Sequence, residues 1–146
     1  QVQDFKKIAR EEFGREIQIW TNASVVQRSN RAEALEFRSY CVEEMLDHKA
    51  LDSLIATMVR ENGWDDDDRR IGFMRARMSG GSGFPLLGSA NDIAEQLGLM
   101  ADAGIDGVLM TWIDYLDGIR EFADNVLPLL EEAGLRQPWS RSSIPS

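Results

Sequence analysis

GFPLLGSANDIAEQLGLMADAGIDGVLMTW, residues 83–112, decides how this chain is read. A short apolar run, Phe84-Pro85-Leu86-Leu87, enters Gly88-Ser89. There Ser89 is placed to cap a helix through Asp92. Ile93, Leu97 and Met100 then recur at helical spacing, and Gly104 stops the pattern. A second apolar run follows over 107–111, nearly continuous, as suits a strand covered on both faces by helices. Asp114 is in place to cap one more helix, with a face of Ile119, Phe122, Ala123, Val126, Leu129 and Leu130. Pro128 should kink it or mark its last turns, and Gly134 closes it. Residues 84–133 therefore read as two consecutive βα units.

Working back toward the N-terminus, residues 2–13 carry apolar side chains at Val2, Phe5, Ile8, Ala9 and Phe13, a helical spacing ended by Gly14. Ile17-Gln18-Ile19-Trp20 alternates with strand period, and Val25-Val26 follows. Asn30 with Glu33 predicts a capped helix whose face is Ala34, Phe37, Cys41 and Leu46. Another helix is expected over 51–59, stopped at Gly63. Residues 63–84 combine an acidic run (Asp65 to Asp68), the arginines Arg69, Arg70, Arg75 and Arg77, and glycines at 80, 81 and 83. They read as an irregular connection, either a solvated excursion or a mobile lid. The tail, 137–146, is rich in Pro and Ser and is expected to fray. Strands alternating with helices indicate parallel α/β architecture.

Composition excludes several classes. At 146 residues, 43% hydrophobic and 28% charged, the chain is long enough for one domain with a real core. The net charge of −9 argues against a nucleic-acid partner, because phosphate backbones need a basic face. No apolar run approaches the ~20 residues a membrane helix requires. The single Cys41 rules out an internal disulfide and any multi-Cys metal site, which suits a reducing cytoplasm. Cys41 reads as a structural thiol, and His48, beside Asp47 at a helix boundary, as a surface residue or cap. No metal site is expected.

The stretch GGSGFPLLGSANDIAEQLGLMADAGIDGVLMTW, then DYLDGIREFADNVLPLLEEAGL, with REEFGREIQIWTNASVVQRSNRAEA upstream, resembles the bacterial-luciferase-like flavin-dependent monooxygenases. The branch most similar acts on dimethyl sulfone, pyrimidine rings and alkanesulfonates. Ser79, where alkanesulfonate enzymes tend to carry Arg, and Ile113, where they carry an aromatic, weaken a sulfonate as substrate. Arg75 or Arg77 stands close enough in sequence to compensate. The resemblance implies a (β/α)8 barrel, of which residues 1–136 would be the C-terminal portion, about the last three βα units. A complete barrel needs about 250 residues. The chain, opening on Gln1 in a helical pattern, is accordingly expected to begin in mid-fold, with most flavin-phosphate contacts upstream.

The resemblance further implies a two-component monooxygenase that takes reduced FMN from a separate flavin reductase and uses O2 on a small organic substrate, as a homo-oligomer. A deazaflavin (F420)-dependent oxidoreductase on the same barrel, or a non-catalytic binding or assembly subunit, remains open. Active sites of such barrels lie at the C-terminal ends of the strands. Applied to the expected strands, that rule selects Trp20 and Asn22, then Gly88 and Ser89, then Trp112, Asp114 and Tyr115. Trp20 and Trp112 read as pocket lining or rim packing, Asn22 as a ligand-orienting amide or a turn residue, and Asp114 as a helix cap or a general base. Gly88-Ser89 at a helix N-terminus reads as structural, substrate-side or phosphate-binding. Arg75, Arg77, Gly80, Gly81 and Gly83 belong to the expected mobile loop, whose closure would keep water from the flavin.

Overall fold

The computed structural model describes residues 1–65, 69–79 and 83–138. Three parallel strands, β1 (Trp20–Gln27), β2 (Phe84–Gly88) and β3 (Gly107–Trp112), form one sheet in the order β2-β1-β3. Val25 is in register with Leu86 on one side and Trp112 on the other. A strictly sequential run of βα units would set β2 in the middle. Here the crossover through α5 (Ala90–Asp102) carries the chain from one edge to the other, past β1.

β1 can hold the centre because its middle is built of small or β-branched residues. Ala23, Ser24, Val25 and Val26 are all buried. Ala23 and Val25 join Leu86, Ile93, Leu97, Phe122, Val126 and Leu130 in the main core, under α5, α6 (Tyr115–Asn125) and α7 (Leu127–Glu132). Val26 and Leu87 point the other way, onto Ala34 and Phe37 of α2 (Arg31–Ser39). This strand corrects the expected one. Ile17 to Ile19 lead into β1, and the strand runs on to Gln27.

Helix boundaries follow the capping residues. Asn30 Oδ1 accepts from the Glu33 N–H at 3.0 Å, and Asp47 caps α3 (His48–Asn62) by accepting from Ala50 N–H at 2.9 Å. The α2 helix runs into a π-helical turn, Tyr40–Glu44, that holds Cys41 half-buried. Pro128 divides α6 from α7, as its missing N–H requires.

Three further expectations change. The connection at 63–84 contains a helix, α4 (Arg69–Ser79), laid against α3 and tied by Arg75 Nη1 donating to Asp52 Oδ1 at 2.6 Å. Gly80 and Gly81, like residues 139–146 of the tail, lie outside the described residues. Among the described residues, β3 is covered by helices on one face only. Val108, Met110 and Trp112 meet the core, while Leu109 is 58% exposed, because α2 reaches β1 and β2 but not this edge. Helix α1 (Val2–Phe13) buries none of its residues, and Phe5, Ile8 and Phe13 remain at the surface. Likewise Ile119 and Ala123 of the expected α6 face are exposed.

Candidate functional site

The carboxyl ends of β1 and β3 and the first turns of α6 enclose a cleft of about 500 Å3. Gln27, Arg28, Trp112, Asp114, Asp117 and Glu121 supply its chemistry, with Phe37 at the back. Trp112 forms the main wall. Its ring meets Tyr115 edge-on at 5.9 Å and Phe122 at 5.7 Å, so the indole is held between two aromatics. Gly118 lets α6 come this close: a Cβ there would lie 2.5 Å from Trp112 Cδ1. The indole Nε1 and Gln27 Oε1, like Arg38 Nε of α2, are buried without a hydrogen-bond partner among the described residues.

Arg28 lines the same cleft. Its guanidinium lies 3.8 Å from the Phe37 ring centroid and donates to the Gln27 carbonyl at 2.6 Å. Its backbone N–H donates to the Gly88 carbonyl at 3.0 Å, which joins the ends of β1 and β2. Asp114 occupies the N-cap position of α6, yet its carboxylate makes no capping hydrogen bond.

The Gly88-Ser89 turn is built differently. Gly88 has φ 134°, and a Cβ there would lie 2.5 Å from Asp92 Oδ2. Asp92 Oδ2 accepts from the Ser89 hydroxyl at 2.7 Å and from its N–H at 2.8 Å, closing a capping box. Those two hydrogen bonds, the hydroxyl's first, hold the Asp92 carboxyl below the usual carboxylate range. The helix N-terminus therefore already carries its anion, and an incoming phosphate would meet a fixed negative charge.

Of the residues expected from sequence, Trp112 and Asp114 line the cleft, Tyr115 backs Trp112, and Gly88 and Ser89 sit on the adjoining strand end. Trp20 and Asn22 are not with them. Trp20 is the first residue of β1, so both lie at the opposite, amino-terminal end of the sheet. The expected strand ends at Trp20, whereas β1 begins there. Arg75 is engaged with Asp52, and Arg77 and Gly83 lie beside Trp20 and Asn22. Gln27, Arg28, Asp117 and Glu121 line the cleft in addition to the residues expected from sequence. One signal was available: helix α2 is capped at Asn30, and βα loops are short, so β1 had to end within a few residues of it. Another was the spacing of Asp117, Glu121 and Asn125, which lines one helix face.

A parallel sheet with helices on both faces and a cleft at its carboxyl edge belongs to the α/β class from which βα barrels are built. Comparison with solved structures agrees. The fold is similar to a long-chain alkane monooxygenase (LadA), with TM-score 0.69 and 22% identity over 96% of this chain. It is also similar to a riboflavin lyase (RcaE), solved with modified FMN and its substrate riboflavin, with TM-score 0.61 and 20% identity over 91% of this chain. The chain spans 35% of the length of each. No protein-family model matches it, and no curated protein matches it. No helix among the described residues is long and apolar enough to cross a membrane.

Proposed function

We propose that this chain forms part of a flavin-dependent monooxygenase that uses reduced FMN, delivered by a separate reductase, and O2 on a small organic substrate. The observation that carries the reading is the pair of buried polar atoms on residues that line the carboxyl-end cleft, Trp112 Nε1 and Gln27 Oε1, which have no hydrogen-bond partner among the described residues and lie beside aromatic surface. A flavin ring edge alternates carbonyl and N–H groups. An indole donor and an amide acceptor complement such an edge, and the Trp112 ring supplies apolar surface for the tricycle. The likeness to an alkane monooxygenase and to an enzyme solved with modified FMN supports the same choice.

Reduced flavin, when bound, supplies the electrons that make O2 reactive. This chain's residues bind and orient. Trp112 Nε1 would donate to a ring carbonyl and Gln27 Oε1 would accept from a ring N–H, while Phe37 and Trp112 keep water from the ring. Asp114, free of capping duty, offers its carboxylate as a hydrogen-bond acceptor at the cleft, beside Asp117 and Glu121. The Ser89 turn, already satisfied by Asp92, would leave the flavin phosphate to other parts of the enzyme. A cytoplasmic setting, with Cys41 reduced, fits this use.

Anaerobic titration of the purified protein with reduced FMN, followed by admission of O2 with candidate substrates, tests the reading. Saturable binding is expected, weakened about tenfold by Trp112→Phe, which keeps the wall and removes the donor. Absence of binding, or binding indifferent to Trp112, overturns it.

A further inference from the structure

Gly118 stands inside α6, where glycine is the least favourable residue short of proline, so its presence there asks for a local reason. The reason is Trp112. A Cβ on Gly118 would lie 2.5 Å from Trp112 Cδ1, 2.8 Å from its Cγ and 3.0 Å from its Cβ. Non-bonded carbon atoms settle at about 3.5 Å or more, so no side chain fits at 118 while the indole stays where it is. The crowding reaches down to the Trp112 Cβ, so turning the ring about χ2 alone would not relieve it. Either Trp112 swings about χ1, or α6 draws back. Both disturb the edge-on contacts, 5.9 Å to Tyr115 and 5.7 Å to Phe122, through which α6 holds the ring. Nε1 is covalently next to Cδ1, so the indole donor moves whichever way the crowding is relieved.

We propose that Gly118 is a positioning residue: its missing side chain fixes the direction in which Trp112 holds its N–H, and so sets how well a flavin ring is bound at the cleft. This rests on the reading of the cleft as a flavin site. Gly118 has no donor or acceptor on a side chain and acts through the indole. Three surfaces hold that indole, and two of them, Tyr115 and Phe122, are side chains able to change rotamer. The third is the backbone of α6 at Gly118, which cannot yield without moving the helix. Direction matters because a hydrogen bond weakens steeply once its angle falls below about 120°. A swing of the ring that costs little packing therefore still takes the N–H away from a fixed carbonyl. The space at 118 is a control on binding, beyond its part in letting α6 pack.

Two measurements on the purified protein test the proposal. In the first, the chain's four tryptophans are replaced by 5-fluorotryptophan, and the Trp112 fluorine resonance is identified by its loss in Trp112→Phe. Gly118→Ala is expected to shift that resonance and leave the other tryptophan signals in place, with helical circular dichroism retained. The second is anaerobic titration with reduced FMN. Gly118→Ala should weaken binding about tenfold, as Trp112→Phe does, and the double variant should bind no more weakly than Trp112→Phe alone, because both act through one N–H. Tyr115→Leu, which removes one edge contact and adds no bulk, should shift the same resonance and weaken binding by a smaller factor; it carries the test if Gly118→Ala does not fold. A Trp112 resonance unmoved by Gly118→Ala, a Gly118→Ala variant that binds like the parent while Trp112→Phe does not, or losses that add in the double variant would each overturn it. If Trp112→Phe leaves binding unchanged, the flavin reading fails, and the fluorine resonance alone decides whether Gly118 positions the indole.

Discussion

Asp106 ties together three parts of the chain. Its carboxylate accepts from Lys6 Nζ of α1 at 2.8 Å and from the Ile19 N–H at 2.8 Å, and its own N–H donates to the Ile19 carbonyl at 2.9 Å. One residue thereby sets α1 against the sheet and aligns the start of β1 with the start of β3. The Lys6 hydrogen bond first, and that from Ile19 second, hold the Asp106 carboxyl below its ordinary range. A carboxyl depressed in the folded state contributes stability above the unfolded-state value, about 4, and loses it as pH falls through the folded-state value. The melting temperature is therefore expected to drop as pH is lowered from 7 to 3. Asp106→Asn should melt lower than the parent at pH 7 and converge with it in acid. Melting curves for both proteins across that range check this, and a constant gap between them would refute it. Part of the acid sensitivity should persist in the variant, because Asp92 is depressed in the same direction.

At the scale of elements, α5 shows how one helix divides its work. Ile93 is fully buried between β1, β2 and the C-terminal helices, whereas Leu99 is 62% exposed. Ile93→Ala is expected to cost about 3 kcal/mol, through lost burial and the cavity left behind, and Leu99→Ala less than ~0.5 kcal/mol. Denaturant titration of the two variants reads the contrast directly. Helix α4 is fastened differently. Its Arg75–Asp52 pair, at 2.6 Å, is about half exposed at both side chains, so it contributes at most about 1 kcal/mol. Arg75→Ala should leave global stability nearly unchanged while raising amide exchange across α4. If reduced FMN and substrate slow that exchange, the segment closes on ligand binding. Exchange indifferent to ligand would make α4 a plain connector. The sequence of this region shows charge and glycine but little apolar periodicity, so α4 leaves no hydrophobic signature to read.

Among the described residues of the whole molecule, the sheet has two open edges. β2 and β3 each have one side without a strand partner, and Leu109 of β3 and the α1 residues Phe5, Ile8 and Phe13 expose apolar surface nearby. All-parallel sheets are normally covered on both faces, and exposed strand edges invite pairing. In the matched enzymes, this fold accounts for 35% of the chain. Residues 1–146 by themselves are therefore expected to self-associate, or to require further βα units for a stable state. Sedimentation velocity across a range of concentrations is the check. A monomer at every concentration with a sharp cooperative melt would show that the sheet needs no cover.

Local pattern was enough to establish the helices at 2–13 and 90–102, the caps at Asn30 and Ser89, the strands at 84–88 and 107–112, and the parallel α/β class, whereas the helix after Asn30, expected to carry its face on to Leu46, turns π-helical at Tyr40. Those features depend on contacts within a turn or two, or on a hydrophobic period that the residues display in order. Trp112 and Asp114 could be placed at a strand end for the same reason. The extent of β1 could not, because Asn22, Ala23 and Ser24 have no strand propensity of their own. They extend because β2 and β3 hydrogen-bond to both sides of the backbone and close packing favours small side chains. The central position of β1 is likewise a tertiary outcome, since it requires α5 to carry the chain past a strand already in place. With it came the separation of Trp20 and Asn22 from Trp112 and Asp114 to opposite ends of the sheet. That separation depends on where a strand ends, which its neighbours decide.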